Sequence, residues 1–221
     1  SYNGQIVTMT YTEIGNTGIN PDDVESRQIF TNGFIVHEMN EPSNWRSRQS
    51  LSHYLKENGI PALAGVDTRA RTRKLRDSGT LKGVMVVDDS MSEQEAVQRA
   101  SDWEGLDGQD YASKVSIDKP FDWDRKGDLS TSWGIAEGLP EPDLQVVAFD
   151  YGIKWNILRR LREQGIAVNV VPAKTTAEEM LEMKPDGVFL SNGPADPAGV
   201  TYAIEEIKQL IGRTPIMGIC L

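Results

Sequence analysis

Short apolar runs and amphipathic stretches alternate through the last third of the chain. Four of the runs are bounded by glycine, proline or polar residues, as buried parallel strands are: 145–150, 166–171, 187–190 and 216–219. Between these runs, apolar residues recur at helical spacing, and Thr175-Thr176-Ala177-Glu178 has the pattern of a capping box. The alternation predicts four strands and three helices in an open parallel sheet.

The first hundred residues follow a different pattern, in which β-branched and aromatic runs are separated by turn clusters. It predicts strands at 5–11, 28–37, 62–66 and 82–87, and helices at 50–58, 67–76 and 93–102. We therefore expect a mixed, β-rich α/β domain over residues 1–111 and the parallel sheet over 144–221. Residues 112–143 show little periodicity and are predicted to link the two domains.

One of the predicted helices is strongly basic. The stretch from Asp67 to Arg76 carries five positive charges in eight residues, a density that can bind phosphate or nucleic acid. The alternative is a helix capped by Asp67 or Thr68 with a solvated basic face. We favour the helix because Leu75 and Gly79 fit a helix end. Some of its arginines would then be free to meet an acidic partner.

Composition and charge exclude several classes of function. The 221 residues carry a net charge of −10, whereas a nucleic-acid surface needs clustered Lys and Arg. One cysteine cannot form an internal disulfide, and with two distant histidines it gives no zinc-ligand spacing. No apolar run approaches the roughly 18 residues of a membrane span, and no G-x-G-x-x-G follows a strand. We expect a cytoplasmic protein with no metal, nucleic-acid or membrane partner.

The single cysteine, Cys220, follows the last predicted strand, with Gly218 two residues before it. This arrangement is typical of a nucleophile elbow, in which a tight turn lifts the side chain out of the sheet. The strand before it in sequence ends on Ser191-Asn192-Gly193, and ligands bind at the carboxyl edge of such sheets. From the cysteine alone, a small buried hydrophobic residue is an equal alternative.

Two motifs in this region resemble the class I glutamine amidotransferase family: S-N-G-P-A-D-P and, further along the chain, G-I-C-L. The resemblance implies the first half of a doubly wound parallel sheet, with Cys220 as the nucleophile. It also implies that the N–H groups of Gly193 and Leu221 form an oxyanion hole and that Ala195 lines the glutamine site. The family usually has glycine where this chain has Ala195, and a positive φ there would strain alanine.

A second resemblance lies in the first third of the chain. Q-I-V-T-M-T-Y with I-G-N-T-G-I-N, and later G-V-D-T-R with L-K-G-V-M, resemble the N-terminal domain of the carbamoyl-phosphate synthetase small-subunit family. In that family a serine just before the first of these strands contacts glutamine, and Ser1 has the matching position. Because the chain starts with Ser1 and stops soon after the cysteine, we expect an internal fragment.

Together the resemblances imply a glutamine-hydrolysing subunit. Cys220 would attack the side-chain amide of L-glutamine, ammonia would leave, and water would hydrolyse the thioester. The ammonia would pass to the carbamoyl-phosphate synthetase large subunit, on which ATP and Mg are expected, with no cofactor in this subunit. The family's histidine base and its glutamate lie beyond Leu221, so this chain alone is expected to release little glutamate.

Two alternatives stay open at this point. A catalytically silent relative, whose glutamine site is closed by Ala195, would be a regulatory or scaffolding subunit. Glutamine binding with and without Ala195→Gly separates that subunit from an enzyme. A different cysteine-elbow α/β hydrolase would share the sheet but act on another substrate.

Overall fold

The computed structural model describes residues 2–88, 90–131, 138–194 and 196–220. The chain divides into two compact units. The N-terminal unit consists of Tyr2–Pro21 and Ile29–Gly105, and the C-terminal unit consists of Asp22–Gln28 and the residues from Leu106 onward. Segment Asp22–Gln28 therefore belongs with residues that follow it by more than seventy positions. The domain boundaries expected from the sequence stay predictions.

The N-terminal unit contains a small parallel sheet, whose strands lie in the order β1-β2-β3. The strands are β1 (Ile6–Thr8), β2 (Gly33–Ile35) and β3 (Ala62–Leu63), each shorter than the run that predicted it. A 3-10 turn spans Pro21–Asp23. The helices are α1 (Leu51–Glu57), α2 (Thr68–Ser78) and α3 (Glu93–Asp102), which confirms the three that were predicted.

The prediction of a strand at 82–87 is wrong. No helix or strand forms there, and Val87 is 77% exposed. Met85 instead packs close to Gly33 of β2: its Cε and Sδ lie 3.3 and 3.4 Å from the point where a Cβ on Gly33 would stand. A short apolar run can thus bury side chains without pairing with another strand. Periodicity alone does not distinguish such a run from a true strand.

The I-G-N-T-G-I-N segment is a turn that requires its glycines. Gly15 and Gly18 have φ of +100° and +68°, a region that side-chain-bearing residues rarely adopt. A Cβ on Gly15 would lie 2.4 Å from the backbone oxygen of Asn40, and one on Gly18 would overlap the side chain of Ser47. Conformation and close approach therefore both select glycine at these two positions.

The C-terminal unit is built on a sheet in the order β4-β6-β5-β7-β8. Its strands are β4 (Phe121–Asp122), β5 (Leu144–Asp150), β6 (Ile166–Pro172), β7 (Gly187–Leu190) and β8 (Ile216–Gly218). Its helices are α4 (Ala112–Val115), α5 (Asp128–Thr131), α6 (Trp155–Glu163), α7 (Ala177–Glu182) and α8 (Thr201–Leu210), with a 3-10 turn at Pro197–Gly199. β5 to β8 are parallel, as predicted, and β4 adds an antiparallel edge.

Both faces of this sheet are covered at its centre, which explains why its central strands are mostly apolar. In β5, Val147 and Phe149 pack into the hydrophobic cluster on one face, and Ala148 between them packs into the cluster on the other. All three side chains are fully buried. Strands buried on both faces lose the alternation of polar and apolar residues that a half-exposed strand shows. Among the described residues, no helix is both long and apolar enough to cross a membrane.

The capping box of α7 lies one residue later than predicted. The Thr176 hydroxyl accepts from the backbone N–H of Glu179 at 3.3 Å, and the Glu179 carboxylate accepts from the backbone N–H of Thr176 at 2.8 Å. Two adjacent threonines followed by two adjacent glutamates fit the pattern in either register. The hydrogen bonds from the Thr176 N–H and hydroxyl lower the pKa of the Glu179 carboxyl.

Candidate functional site

The candidate site lies where β7 and β8 end side by side. The two strands are parallel neighbours, and Leu190 pairs with Gly218 at the end of the ladder. One residue further, the N–H of Ile219 donates to the carbonyl of Leu190 at 3.0 Å. Asn192 lies two residues beyond Leu190, and Cys220 lies two residues beyond Gly218. Adjacent strands are about 4.8 Å apart, so the Ser191-Asn192-Gly193 segment and the cysteine meet at the carboxyl edge of the sheet.

Cys220 has an unusual backbone conformation. Its φ is 75°, in the left-handed region, and its side chain is exposed. Residues other than glycine rarely adopt this region; it costs roughly 1–3 kcal/mol and is concentrated at functional sites. A left-handed residue shortly after a strand is what a nucleophile elbow needs.

The described neighbours of residue 218 do not require it to be a glycine. A Cβ at this position would lie 3.5 Å from the Cβ of Leu190, which is ordinary van der Waals contact. The glycine two residues before the cysteine therefore supports the elbow as a sequence pattern. Its described surroundings do not supply a steric reason for it.

The segment after β7 is hydrogen-bonded to the loop that follows β5. The hydroxyl of Ser191 accepts from the N–H of Tyr151 at 3.0 Å. The side-chain amide of Asn192 accepts from the N–H of Lys154 and donates to the carbonyl of Gly152, both at 3.1 Å. Ser191 is fully buried and Asn192 is half-buried. We call these contacts the loop clamp, because they fasten Ser191 and Asn192 to the β5–α6 loop.

The β5–α6 loop is itself held by a buried carboxylate. Asp150 is only 4% exposed, and its side chain accepts from the N–H groups of Gly152, Ile153 and Ile117 at 2.8–2.9 Å. Three N–H donors satisfy a buried carboxylate that would otherwise be costly to desolvate. Tyr151, in the same loop, is also buried, and this burial raises the pKa of its phenol, with a further contribution from nearby Tyr202.

Glu25 fastens the other end of this loop. Its carboxylate accepts from the N–H of Asn156 at 2.8 Å and its backbone carbonyl accepts from the N–H of Trp155 at 3.0 Å. These are first-turn N–H groups of α6, which receives no side-chain cap from Lys154. A carboxylate at a helix N-terminus is also favoured by the helix dipole. The sequence analysis assigned no role to Glu25 or Asp150, because their contacts with Asn156 and Ile117 join segments that are distant in sequence.

Several predicted site residues lie outside the described part of the chain: Ser1, Ala195 and Leu221. Gly193 is described and is half-buried. The two histidines have local partners, since His37 contacts the carbonyl of Val66 at 3.1 Å and His53 pairs with Glu57 at 3.0 Å. Among the described residues, no group of three or more His, Cys, Asp or Glu side chains could hold a metal ion.

Comparison with known families matches both parts of the chain. Residues 1–85 match the family described as carbamoyl-phosphate synthase small chain, CPSase domain. Residues 147–221 match the family described as class-I glutamine amidotransferase. The second match begins within β5 and contains β6 to β8, the loop clamp and Cys220.

Similar proteins align along the whole chain. The chloroplastic carbamoyl phosphate synthase small chain of Oryza sativa subsp. japonica is 46% identical over 222 residues. The carbamoyl phosphate synthase small chains of Syntrophotalea carbinolica and Pseudomonas syringae pv. tomato are 48% and 46% identical. Each match covers 100% of this chain but only 49%, 58% and 59% of the respective relative. The chain thus spans about half the length of the curated relatives it matches.

Proposed function

We propose that the protein hydrolyses L-glutamine, because residues 1–85 match the carbamoyl-phosphate synthase small chain family and residues 147–221 match the class I glutamine amidotransferase family. The ammonia released would serve carbamoyl phosphate synthesis on a large partner subunit. ATP and Mg would be used on that subunit, and this one would need no cofactor. The proposed compartment is the cytoplasm, because the single cysteine cannot form an internal disulfide.

One observation carries the proposal: the only cysteine of the chain stands exposed in a left-handed conformation two residues after β8. Its neighbour at the sheet edge is the loop after β7, which ends in Gly193. A strained, accessible thiol beside a loop with backbone N–H groups supplies a nucleophile and a donor for a developing oxyanion. These are the two parts that hydrolysis of an amide through a thioester requires.

The proposed reaction proceeds in two steps. In the first, the Cys220 thiolate bonds to the side-chain amide carbon of glutamine, and negative charge moves to the carbonyl oxygen. The C–N bond then breaks, and the nitrogen gains a proton and leaves as ammonia. In the second step, water attacks the thioester carbon, the C–S bond breaks, and glutamate and the free thiol are formed. The resemblance assigns the proton transfers to a histidine outside this chain.

The oxyanion would be stabilised by backbone N–H groups. We assign this role to Gly193 and to Leu221, which follows the nucleophile. Removing such a donor typically lowers kcat by about 10²–10³-fold. Ala195 would contribute to the glutamine site through its main chain, and Ser1 would contact the bound glutamine.

The test uses the full-length protein in complex with its large subunit. The wild type and Cys220→Ser are compared for glutamate release from glutamine, and for carbamoyl phosphate formation from glutamine or from ammonium chloride. We expect the serine variant to lose both glutamine-dependent activities by about 10³-fold or more. It should keep ammonium-dependent synthesis, because the large subunit carries that chemistry. An electrophilic glutamine analogue should label the wild type at Cys220.

Two results would contradict the proposal. If Cys220→Ser hydrolysed glutamine at the wild-type rate, the cysteine would not be the nucleophile. A wild-type complex that made carbamoyl phosphate from ammonium but released no glutamate from glutamine would indicate a catalytically silent subunit.

A further inference from the structure

The carbonyl of Asn192 has a fixed direction. The Ser191 hydroxyl, which accepts from the Tyr151 N–H, donates in turn to this carbonyl at 2.9 Å. Ser191 has no exposed surface, so the carbonyl is turned towards a buried group. A hydroxyl that both accepts and donates is held in one orientation, which makes the direction of the carbonyl specific.

The Asn192 carbonyl and the Gly193 N–H belong to the same peptide plane. In a trans peptide these two groups point in opposite directions, and there are no cis peptide bonds in the described chain. If the carbonyl is turned towards the buried Ser191 hydroxyl, the N–H of Gly193 is turned away from it. The direction of a backbone donor at the sheet edge is therefore set by a serine that lies two residues earlier.

The loop clamp prevents this peptide from rotating. The side chain of Asn192 both donates and accepts, so it grips the β5–α6 loop at Gly152 and at Lys154. That loop is held by the Asp150 carboxylate at one end and by Glu25 at the start of α6. Groups whose own partners are fixed give a site the precision that oxyanion stabilisation requires.

From these contacts we propose that Ser191 is a positioning residue, which aims the N–H of Gly193 at the oxyanion through the Asn192 peptide. The inference rests on the proposed function, because it presumes that Cys220 attacks glutamine beside this loop. Ser191 itself does not touch the substrate. Misplacing a catalytic donor by about 1 Å can lower the rate by about 100-fold.

The experiment compares Ser191→Ala with the wild type in the full-length complex with the large subunit. We expect kcat for glutamine hydrolysis to fall by about 10–100-fold while KM stays within about twofold, since oxyanion donors act in the transition state. Alkylation of Cys220 by iodoacetamide needs no oxyanion, so its rate should be unchanged. Ser191→Thr, which retains the hydroxyl, should recover most of kcat.

Ser130→Ala is the matched control. Ser130 is as fully buried as Ser191, but its hydroxyl bonds to the carboxylate of Asp124 at 2.6 Å, and neither of these two residues belongs to the loop clamp. This variant should leave kcat within about twofold of the wild type even if it lowers Tm. Asn192→Ala provides a second test that leaves the buried serine in place, and it should lower kcat by about 10-fold, again with little effect on KM.

The possible outcomes separate this inference from the proposed function. If Cys220→Ser is inactive but Ser191→Ala and Asn192→Ala keep kcat within twofold, the positioning role is overturned and the proposed function stands. If Ser191→Ala lowers iodoacetamide reactivity as much as kcat, the serine has a general structural role and the inference is wrong. If Ser191→Ala does not fold, the Asn192→Ala kinetics decide. A wild type that does not hydrolyse glutamine overturns both.

Discussion

At the scale of single residues, Cys220, the proposed nucleophile, has a backbone conformation that suits glycine better. A φ of 75° places its Cβ close to the following carbonyl oxygen, which is the repulsion that disfavours left-handed backbone in L-residues. The residue is thus held in place by the strand before it, at the expense of stability.

This strain predicts that glycine is the more stable replacement. We expect Cys220→Gly to have an unfolding free energy about 1 kcal/mol higher than Cys220→Ala, because glycine adopts a positive φ without penalty. Urea denaturation of the two variants measures the difference. The control is Ala70→Gly in exposed helix α2, where glycine should be less stable by about 0.5–1 kcal/mol. If glycine were less stable than alanine at position 220 as well as at position 70, Cys220 would not be strained.

Sequence motifs predicted the candidate residues at this scale but not the contacts that support them. Cys220 and Gly193 were predicted from their motifs and strand ends. Ser191 was in the same motif, yet its hydrogen bonds to Tyr151 and Asn192 could not be predicted, because they depend on the packing of two loops. Ser1, Ala195 and Leu221 stay predictions, since they lie outside the described residues.

At the scale of elements, buried strands and capped helices can be predicted from local sequence patterns. β5 to β8 were predicted because the strands of a parallel sheet are short and mostly apolar. β4 was not predicted, because it has only two residues and exists through its pairing with β6, Phe121 with Val170 and Asp122 with Asn169. The run at 82–87 shows the opposite error, because it was predicted as a strand but does not pair with one.

The capping box of α7 gives a pH-dependent prediction. Because the Glu179 pKa is lowered by the backbone N–H of Thr176 and then by its hydroxyl, the folded state favours the carboxylate. The resulting stability is present above the unfolded-state pKa and is lost as pH falls through the lowered folded-state pKa. A carbon-13 NMR titration of the Glu179 carboxyl should give a pKa below that of an ordinary glutamate.

Thr176→Val tests the cause of this shift. The variant removes the hydroxyl but keeps the backbone N–H, which makes the larger contribution. The Glu179 pKa should therefore rise only part of the way to its ordinary value, whereas Thr176→Ser should leave it low. A full return to the ordinary value in Thr176→Val would show that the backbone N–H plays no part.

At the scale of the whole molecule, the compact units are not continuous stretches of the chain. The contact between the Glu25 carboxylate and the Asn156 N–H joins residues 131 positions apart in sequence. Arg159 on α6 is 4% exposed and adds a hydrogen bond to the carbonyl of Val24 at 2.9 Å. Periodicity reports which face of an element is buried, not what covers it. The sequence pattern therefore could not predict that Asp22–Gln28 belongs to the C-terminal unit.

Arg159→Met should reveal how much this segment contributes. The variant retains most of the side-chain volume but leaves the carbonyls of Val24 and Leu129 without this donor. We expect the unfolding free energy to fall by about 2–4 kcal/mol, with faster amide hydrogen exchange at Trp155 and Asn156. Urea denaturation and exchange measurements test both effects.

The neighbouring Arg160 supplies the control. Its side chain is 54% exposed and pairs with Glu163 at 3.0 Å, so Arg160→Met should change stability by less than about 1 kcal/mol. If the two substitutions had equal effects, the buried guanidinium would not be what secures Asp22–Gln28 to α6.

The left-handed backbone at Cys220 also bears on how such a protein can change over generations. Cysteine and glycine codons differ at a single base, so one mutation converts the residue into the one that its backbone prefers. The product would fold at least as well and accumulate normally, yet lack the sulfur. Quality control directed at misfolded chains would not remove it. Retention of the thiol would therefore depend on continuing selection for its chemistry.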